Sequence, residues 1–223
     1  MTSGSSTHRA VAEFVGTAFL LMSVVGSGIM AENLSAENNA LALLGNTLPT
    51  GAMLVVLILI FGPISGAHFN PIVSLAFAIR GQLSSKELII FVFAQIAGAL
   101  IGVWIAHGMF DLPLIQASMK ARTGSGQWLA ETIATLGLIM TIFGCLKTRS
   151  QAIPFAVGLY IVAAYWFTAS TSFANPAVTL ARSLTNTFSG IAPNDVAGFI
   201  IAQLIGGILG TYFVKWMWSE KLI

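Results

Sequence analysis

Long apolar stretches alternate with short polar breaks along this chain, and the stretch lengths carry the first information. A helix needs about 20 mostly apolar residues to cross a bilayer. Six stretches reach that length: 9–30, 39–61, 86–107, 128–146, 152–170 and 195–218. Two more, 70–79 and 175–184, are apolar but too short to cross. Each short stretch opens on Asn-Pro, at Asn70-Pro71 and Asn175-Pro176. Asn is a favoured N-cap, and Pro at the first helical position gives up no needed hydrogen bond. Arg80-Gly81 supplies a cation and a glycine stop where the first short helix ends. Each Asn side chain can cap through its oxygen and donate through its amide nitrogen toward open space. The pattern predicts an all-α membrane protein with six transmembrane helices plus two re-entrant half-helices.

The two halves match each other. Ala12-Glu13 corresponds to Ala130-Glu131, Asn70-Pro71 to Asn175-Pro176, and the run Ala94-Gln95-Ile96-Ala97-Gly98 to Ala202-Gln203-Leu204-Ile205-Gly206. Three crossings per half is an odd number, so the halves must insert in opposite orientations. That is an inverted repeat, which places a shared site near the bilayer midplane. The whole chain, 1–223, reads as one domain, with repeat one at about 9–108, a connector at about 109–127 and repeat two at about 128–218. Gly98 and Gly102, and Gly206 and Gly210, sit four apart, a spacing that lets helices approach closely in lipid.

Composition agrees with a lipid solvent. Of 223 residues, 56% are hydrophobic and 8% charged, against about 25% charged in soluble domains. The net charge of +2 includes no basic run, so no nucleic-acid partner is implied. One cysteine, Cys145, excludes an internal disulfide. The scattered His8, His68 and His107 form no metal-ligand pattern, and no cofactor is expected. The first apolar stretch is longer than the roughly 7–15 residues of a signal-peptide core, so it is read as a retained span.

Charge asymmetry sets the expected orientation. With the N-terminus inside, Arg9, Arg80, Lys86, Lys147, Arg149, Lys215 and Lys221 are cytoplasmic, and Lys120, Arg122 and Arg182 are outside. The outer loops also carry Glu32, Glu37, Asp111 and Asp195. Both termini are therefore expected in the cytoplasm of a multi-pass protein of the cell's inner (plasma) membrane.

Glu13 and Glu131 are the only acids deep within the predicted spans. A charge at the bilayer centre costs about 2.5–3.5 kcal/mol on insertion scales, so each acid requires partners. Re-entrant loops expose backbone N–H groups that need acceptors. Each Glu is assigned to brace the loop of its own half; a proton relay is the rival reading.

Several runs resemble the aquaporin, or major intrinsic protein, family. Ile64-Ser65-Gly66-Ala67-His68-Phe69-Asn70-Pro71 is similar to its first signature loop, and Phe173-Ala174-Asn175-Pro176-Ala177 to its second. The Glu-x-x-Gly-Thr run from Glu13 to Thr17 and the Ala-Gln pairs at 94 and 202 match as well. The resemblance covers nearly the whole chain. It implies a homotetramer in the lipid bilayer, one pore per subunit, and passage of water or small neutral solutes. It also implies pore-lining carbonyls at Gly66, Ala67, His68 and Phe173.

Two departures from the family pattern bear on selectivity. Ile72 stands in the first box where Ala is usual, which should alter packing under the helix start. Val178 follows the second box where most members carry an Arg of the outer constriction. Carried over by position, the selectivity filter is Thr50, Tyr165, Ser172 and Val178, with Ala163 or Ala164 open as alternatives to Tyr165. Arg182 lies one turn beyond Val178 on the same face; it either reaches the outer mouth or pairs with an outer-loop acid or backbone.

A filter Arg narrows a pore, supplies donors and repels cations. Thr50 and Val178 should give a wider, partly apolar throat suited to glycerol and to neutral metalloid hydroxides such as arsenite, As(OH)₃, with some water passing. The Thr-plus-Val pattern is similar to that of bacterial aquaglyceroporin-like channels associated with arsenic resistance. An orthodox water channel is the alternative, followed by a secondary transporter with broken helices, which needs pore-facing acids. No clustered nucleophile, base and orienter points to an enzyme.

Overall fold

The computed structural model describes residues 5–218; Lys221, counted above on the cytoplasmic side, lies outside them. The described chain is all-helical, with six helices long and apolar enough to cross a membrane. In chain order these are α1 (Ser6–Leu34), α2 (Asn39–Ser65), α4 (Ser85–Met109), α5 (Ser125–Thr148), α6 (Ile153–Phe167) and α8 (Val196–Met217). The two short helices are α3 (Pro71–Ile79) and α7 (Pro176–Arg182). Short 3-10 turns, Ser150–Ala152 and Pro193–Asp195, lead into α6 and α8.

Local chemistry sets most boundaries. The Asn38 side chain accepts from the Ala40 and Leu41 amides at 3.1 Å, and Ser84 from the Glu87 amide at 3.2 Å, so α2 and α4 begin at their caps. Gly66, at φ +96°, ends α2 in the left-handed conformation. Several ends shift from the apolar pattern by two to four residues, as where α1 spans Ser6–Leu34 against an expected 9–30, and those of α2 and α6 have clear local causes. The second stretch was expected to stop at 61, but α2 continues to Ser65 with Pro63 inside it, a proline that a membrane helix tolerates. The fifth was expected to reach 170, but α6 stops at Phe167. Thr168 turns extended and its hydroxyl donates to the Ala164 carbonyl at 2.6 Å. Residues 168–174 are taken up by the loop that carries the second box.

The halves pack in the same way. α1 packs on α4, and α5 on α8. A Cβ at Gly98 would overlap the Phe14 carbonyl, and one at Gly206 the Thr132 carbonyl. Gly102 and Gly210 stand likewise against Ala18 and Leu136 carbonyls. These glycines allow the backbone contact on which each half is built. Between halves α2 crosses α6, and α3 and α7 enter from opposite sides until their N-termini meet. Large apolar side chains such as Phe93, Leu159 and Trp216 are exposed on the outer faces, as a lipid-facing surface requires.

Candidate functional site

The two loops before the half-helices are bent by left-handed backbone, at one glycine and at five residues that rarely adopt it. In the first, Gly66, Ala67 and Phe69 have φ of +96°, +52° and +49°. In the second, Thr171, Ser172 and Ala174 have φ of +59°, +48° and +48°. Each left-handed non-glycine costs about 1–3 kcal/mol unless its surroundings enforce it. Here a buried carboxylate does so. Glu13 accepts from the His68 amide at 2.9 Å, the Phe69 amide at 2.6 Å, the Ser65 hydroxyl at 2.6 Å and the Gln95 side-chain amide at 2.8 Å. Glu131 accepts from the Phe173 and Ala174 amides, both at 2.8 Å, and from the Gln203 side-chain amide at 2.6 Å. Both acids are fully buried.

Gln95 and Gln203 extend each network, donating also to Ser74 and Thr179 on the half-helices at 2.9 and 2.8 Å. In the sequence these glutamines stand out as repeat markers without an evident role. Their pairing with the two acids at matching repeat positions was the available signal.

The asparagines hold the halves together. Asn70 Oδ1 accepts from the Ile72 amide at 2.9 Å, and its Nδ2 donates to the Ala174 carbonyl at 2.7 Å. Asn175 Oδ1 accepts from the Ala177 and Val178 amides at 3.0 and 3.3 Å, and its Nδ2 donates to the Phe69 carbonyl at 2.8 Å. The amide donors expected to face open space are thus partly engaged with the opposite loop. Each NH₂ carries a second hydrogen, and both asparagines line the cavity between the loops.

That cavity has a volume of about 120 Å³. Its wall brings together Gly66, Ala67, His68 and Phe173 from the loops with Thr50, Tyr165, Ser172, Val178 and Arg182 at one end. At the other end Phe77, Leu146 and Ile153 make an apolar mouth. Of the three candidates for one filter position, Tyr165 lines the cavity, and Ala163 and Ala164 are not in its wall. Pro71, Ile72, Pro176 and Ala177 lie behind it; Ile72 is buried against Gly207 of α8. Neither Glu13 nor Glu131 reaches the wall, and no acid among the described residues does.

The polar groups at the Val178 end are few. Thr50 donates its hydroxyl to the Asn46 carbonyl at 2.9 Å, so toward the cavity it offers a methyl and oxygen lone pairs. The Ser172 hydroxyl is buried and has no protein partner among the described residues. Val178 and Leu20 supply apolar wall. Arg182 is buried, not an exposed helix-end charge.

A strap from the connector fastens this end. Ser118 N donates to the Ser183 carbonyl at 3.0 Å, Ala192 N to the Lys120 carbonyl at 2.7 Å, and Arg122 Nε to the Gly190 carbonyl at 2.8 Å. Burial pushes the Arg122 guanidinium down to about 10, opposed by Glu131 and Tyr165, so it remains charged at neutral pH. Lys120 is lowered to about 8 by desolvation first and by Arg122 and Arg182 next.

A profile of the Major intrinsic protein family matches residues 1–161 and 144–222. Aquaglyceroporin AqpS of Rhizobium meliloti is 57% identical to this chain, over 95% of it and 90% of the relative. Aquaporin Z of Bradyrhizobium diazoefficiens is 30% identical over 95% and 94%. The X-ray structure of the aquaglyceroporin from Plasmodium falciparum superposes with a TM-score of 0.78 at 20% identity, covering 94% of this chain and 95% of that one; this is a likeness of fold.

Proposed function

The chain belongs to the major intrinsic protein family, whose members are channels and not enzymes, and on that premise we propose that it is a passive channel for small neutral solutes. Glycerol and metalloid hydroxides such as arsenite are the main solutes, with some water accompanying them. The observation that carries this reading is the make-up of the cavity end at Val178. Val178, Leu20 and the Thr50 methyl supply apolar wall, and the Ser172 hydroxyl, without a protein partner among the described residues, supplies a polar group. A polyol or As(OH)₃ offers hydroxyls to one side and a compact, weakly hydrated body to the other.

The two half-helices point their N-terminal ends at the same region, which disfavours cations there. A secondary transporter would require an acid on the path, and the two buried acids are engaged with loop amides instead. The protein works as a homotetramer in the inner membrane with both termini cytoplasmic. In support, Arg122 and Arg182 are both buried, so of the three cations assigned to the outer side only Lys120 remains on the surface.

Solute flux into liposomes holding the purified protein tests the proposal. Val178→Arg places a bulky cation in the throat. A barrier raised by about 1.4 kcal/mol slows passage tenfold, so glycerol and arsenite fluxes should fall at least that far and water flux less. Equal loss of all three, or no change, removes Val178 from the path. Flux that requires an ion gradient moves the protein to the transporter class.

A further inference from the structure

We propose that Arg182, one helical turn outside the second box, is the cation barrier of this channel, held in place by Phe173 and Ser189. This rests on the reading of the cavity as a solute path. Arg182 closes α7 and lines the cavity at its Val178 end. It is only 2% exposed, so its guanidinium is fixed by the protein. Nε donates to the Ser189 carbonyl. The Phe173 ring lies beneath it, with Cζ 3.4 Å from the ring centroid.

Both partners are neutral. Among the described residues the ion pair formed is Arg9 with Glu87, on α1 and α4, and no carboxylate partners Arg182. Its charge is softened by the carbonyl end of the seven-residue α7, by the Ser189 carbonyl and, at a distance, by Glu131. With no carboxylate paired to it, its positive charge lines the cavity, where low-polarity walls screen it poorly. Arg122 adds a second cation behind it: its Cζ is 4.9 Å from the same Phe173 ring, and it too bonds carbonyls, of Gly190 and Ser170. Phe173 is thus flanked by two guanidiniums, one lining the path and one in the strap.

This arrangement separates two jobs that a single Arg after the second box would combine. Val178 leaves the throat wide, so a three-hydroxyl solute fits. Arg182 keeps the charge but stands aside, against an aromatic ring. A neutral solute passes a fixed cation and its oxygens can accept hydrogen bonds from the guanidinium N–H groups, while a cation is repelled.

The test measures, in liposomes, the ratio of methylammonium and proton flux to glycerol flux. The proteins are wild type, Arg182→Gln, Arg182→Met, Arg182→Lys, and Arg182→Gln carrying Val178→Arg. Arg182→Gln keeps a donor for the Ser189 carbonyl, and melting temperature verifies folding of each variant. The cation-to-glycerol ratio should rise at least about tenfold in the Gln and Met variants. It should stay near wild type in Arg182→Lys; in the double variant, where Val178→Arg itself slows glycerol, the methylammonium and proton fluxes themselves should fall back toward wild type. An unchanged ratio in folded Arg182→Gln overturns the assignment. So does an equal leak in Arg182→Lys, which would mean loosened packing and not lost charge. Absence of glycerol flux in the wild type would instead count against the proposed function, leaving the two failures distinguishable.

Discussion

Replacing Glu131 by Gln removes one charge and turns one carboxylate oxygen into a donor, at a place where three buried donors converge. Phe173 N, Ala174 N and Gln203 Nε2 lie 2.8, 2.8 and 2.6 Å from the carboxylate. A glutamine retains one oxygen, which can serve the Ala174 amide and Gln203 together. Its NH₂ then faces the Phe173 amide, and a stranded buried N–H costs about 1–3 kcal/mol. The two surviving bonds also fall from charge-assisted to neutral, at about 1 kcal/mol each. Removing a buried charge returns part of this, leaving a net loss of roughly 2–4 kcal/mol. The loop stores comparable strain, in left-handed Thr171, Ser172 and Ala174, so the loss should be expressed there. At about 2–4 °C per kcal/mol for a chain of this size, the melting temperature of the purified protein should fall by about 4–16 °C. Glycerol flux should fall with it as the Ser172–Phe173 segment relaxes. Glu87→Gln is the control: it breaks the partly exposed pair with Arg9, worth about 0–1 kcal/mol. If Glu131→Gln melts within 2 °C of wild type while a pH-gradient-dependent flux disappears, the acid is a proton relay and the bracing argument is wrong.

Two further outcomes follow from contacts elsewhere. Gly207→Ala puts a methyl into Ile72 Cγ2, an overpacking worth about 1–3 kcal/mol; adding Ile72→Ala should restore most of the lost thermal stability, and strictly additive losses would show that the two positions do not meet. Lys120, held near 8 against a usual 10.5 by desolvation and by Arg122 and Arg182, with Glu32 opposing, gives a signed pH dependence. Below pH 8 folded and unfolded chains both carry the proton; between about 8 and 10.5 only the unfolded chain does, so stability contributed by this group rises with pH through that window. The melting temperature of wild type relative to Lys120→Met should therefore climb from pH 7 to pH 10, and a flat difference contradicts the assignment.

Local sequence was enough for the elements because a helix in lipid must satisfy its backbone within its own segment. The six long stretches, the two half-helices and the Asn-Pro starts are each written over a few to about 25 consecutive residues. Where local apolarity misled, at the end of α6, the polar requirements of a loop took precedence over hydropathy. The repeat likewise drew attention to Glu13 and Glu131, since acids so deep in apolar spans need partners. Which partners they meet was not legible. Nothing near Asn70 in the sequence states that its amide reaches the Ala174 carbonyl, or that Gln203 joins Glu131 to Thr179. Nor does any local pattern indicate that Arg182 turns inward onto Phe173 with Arg122 behind it. These contacts join segments dozens of residues apart and depend on side-chain direction after the halves have packed. The glycines of α4 and α8 set how closely they pack. The sequence alone thus determined an all-α inverted repeat with two boxes. Tertiary structure decided which wall groups stand together at the Val178 end, because only packing of opposed halves brings those groups to one cavity.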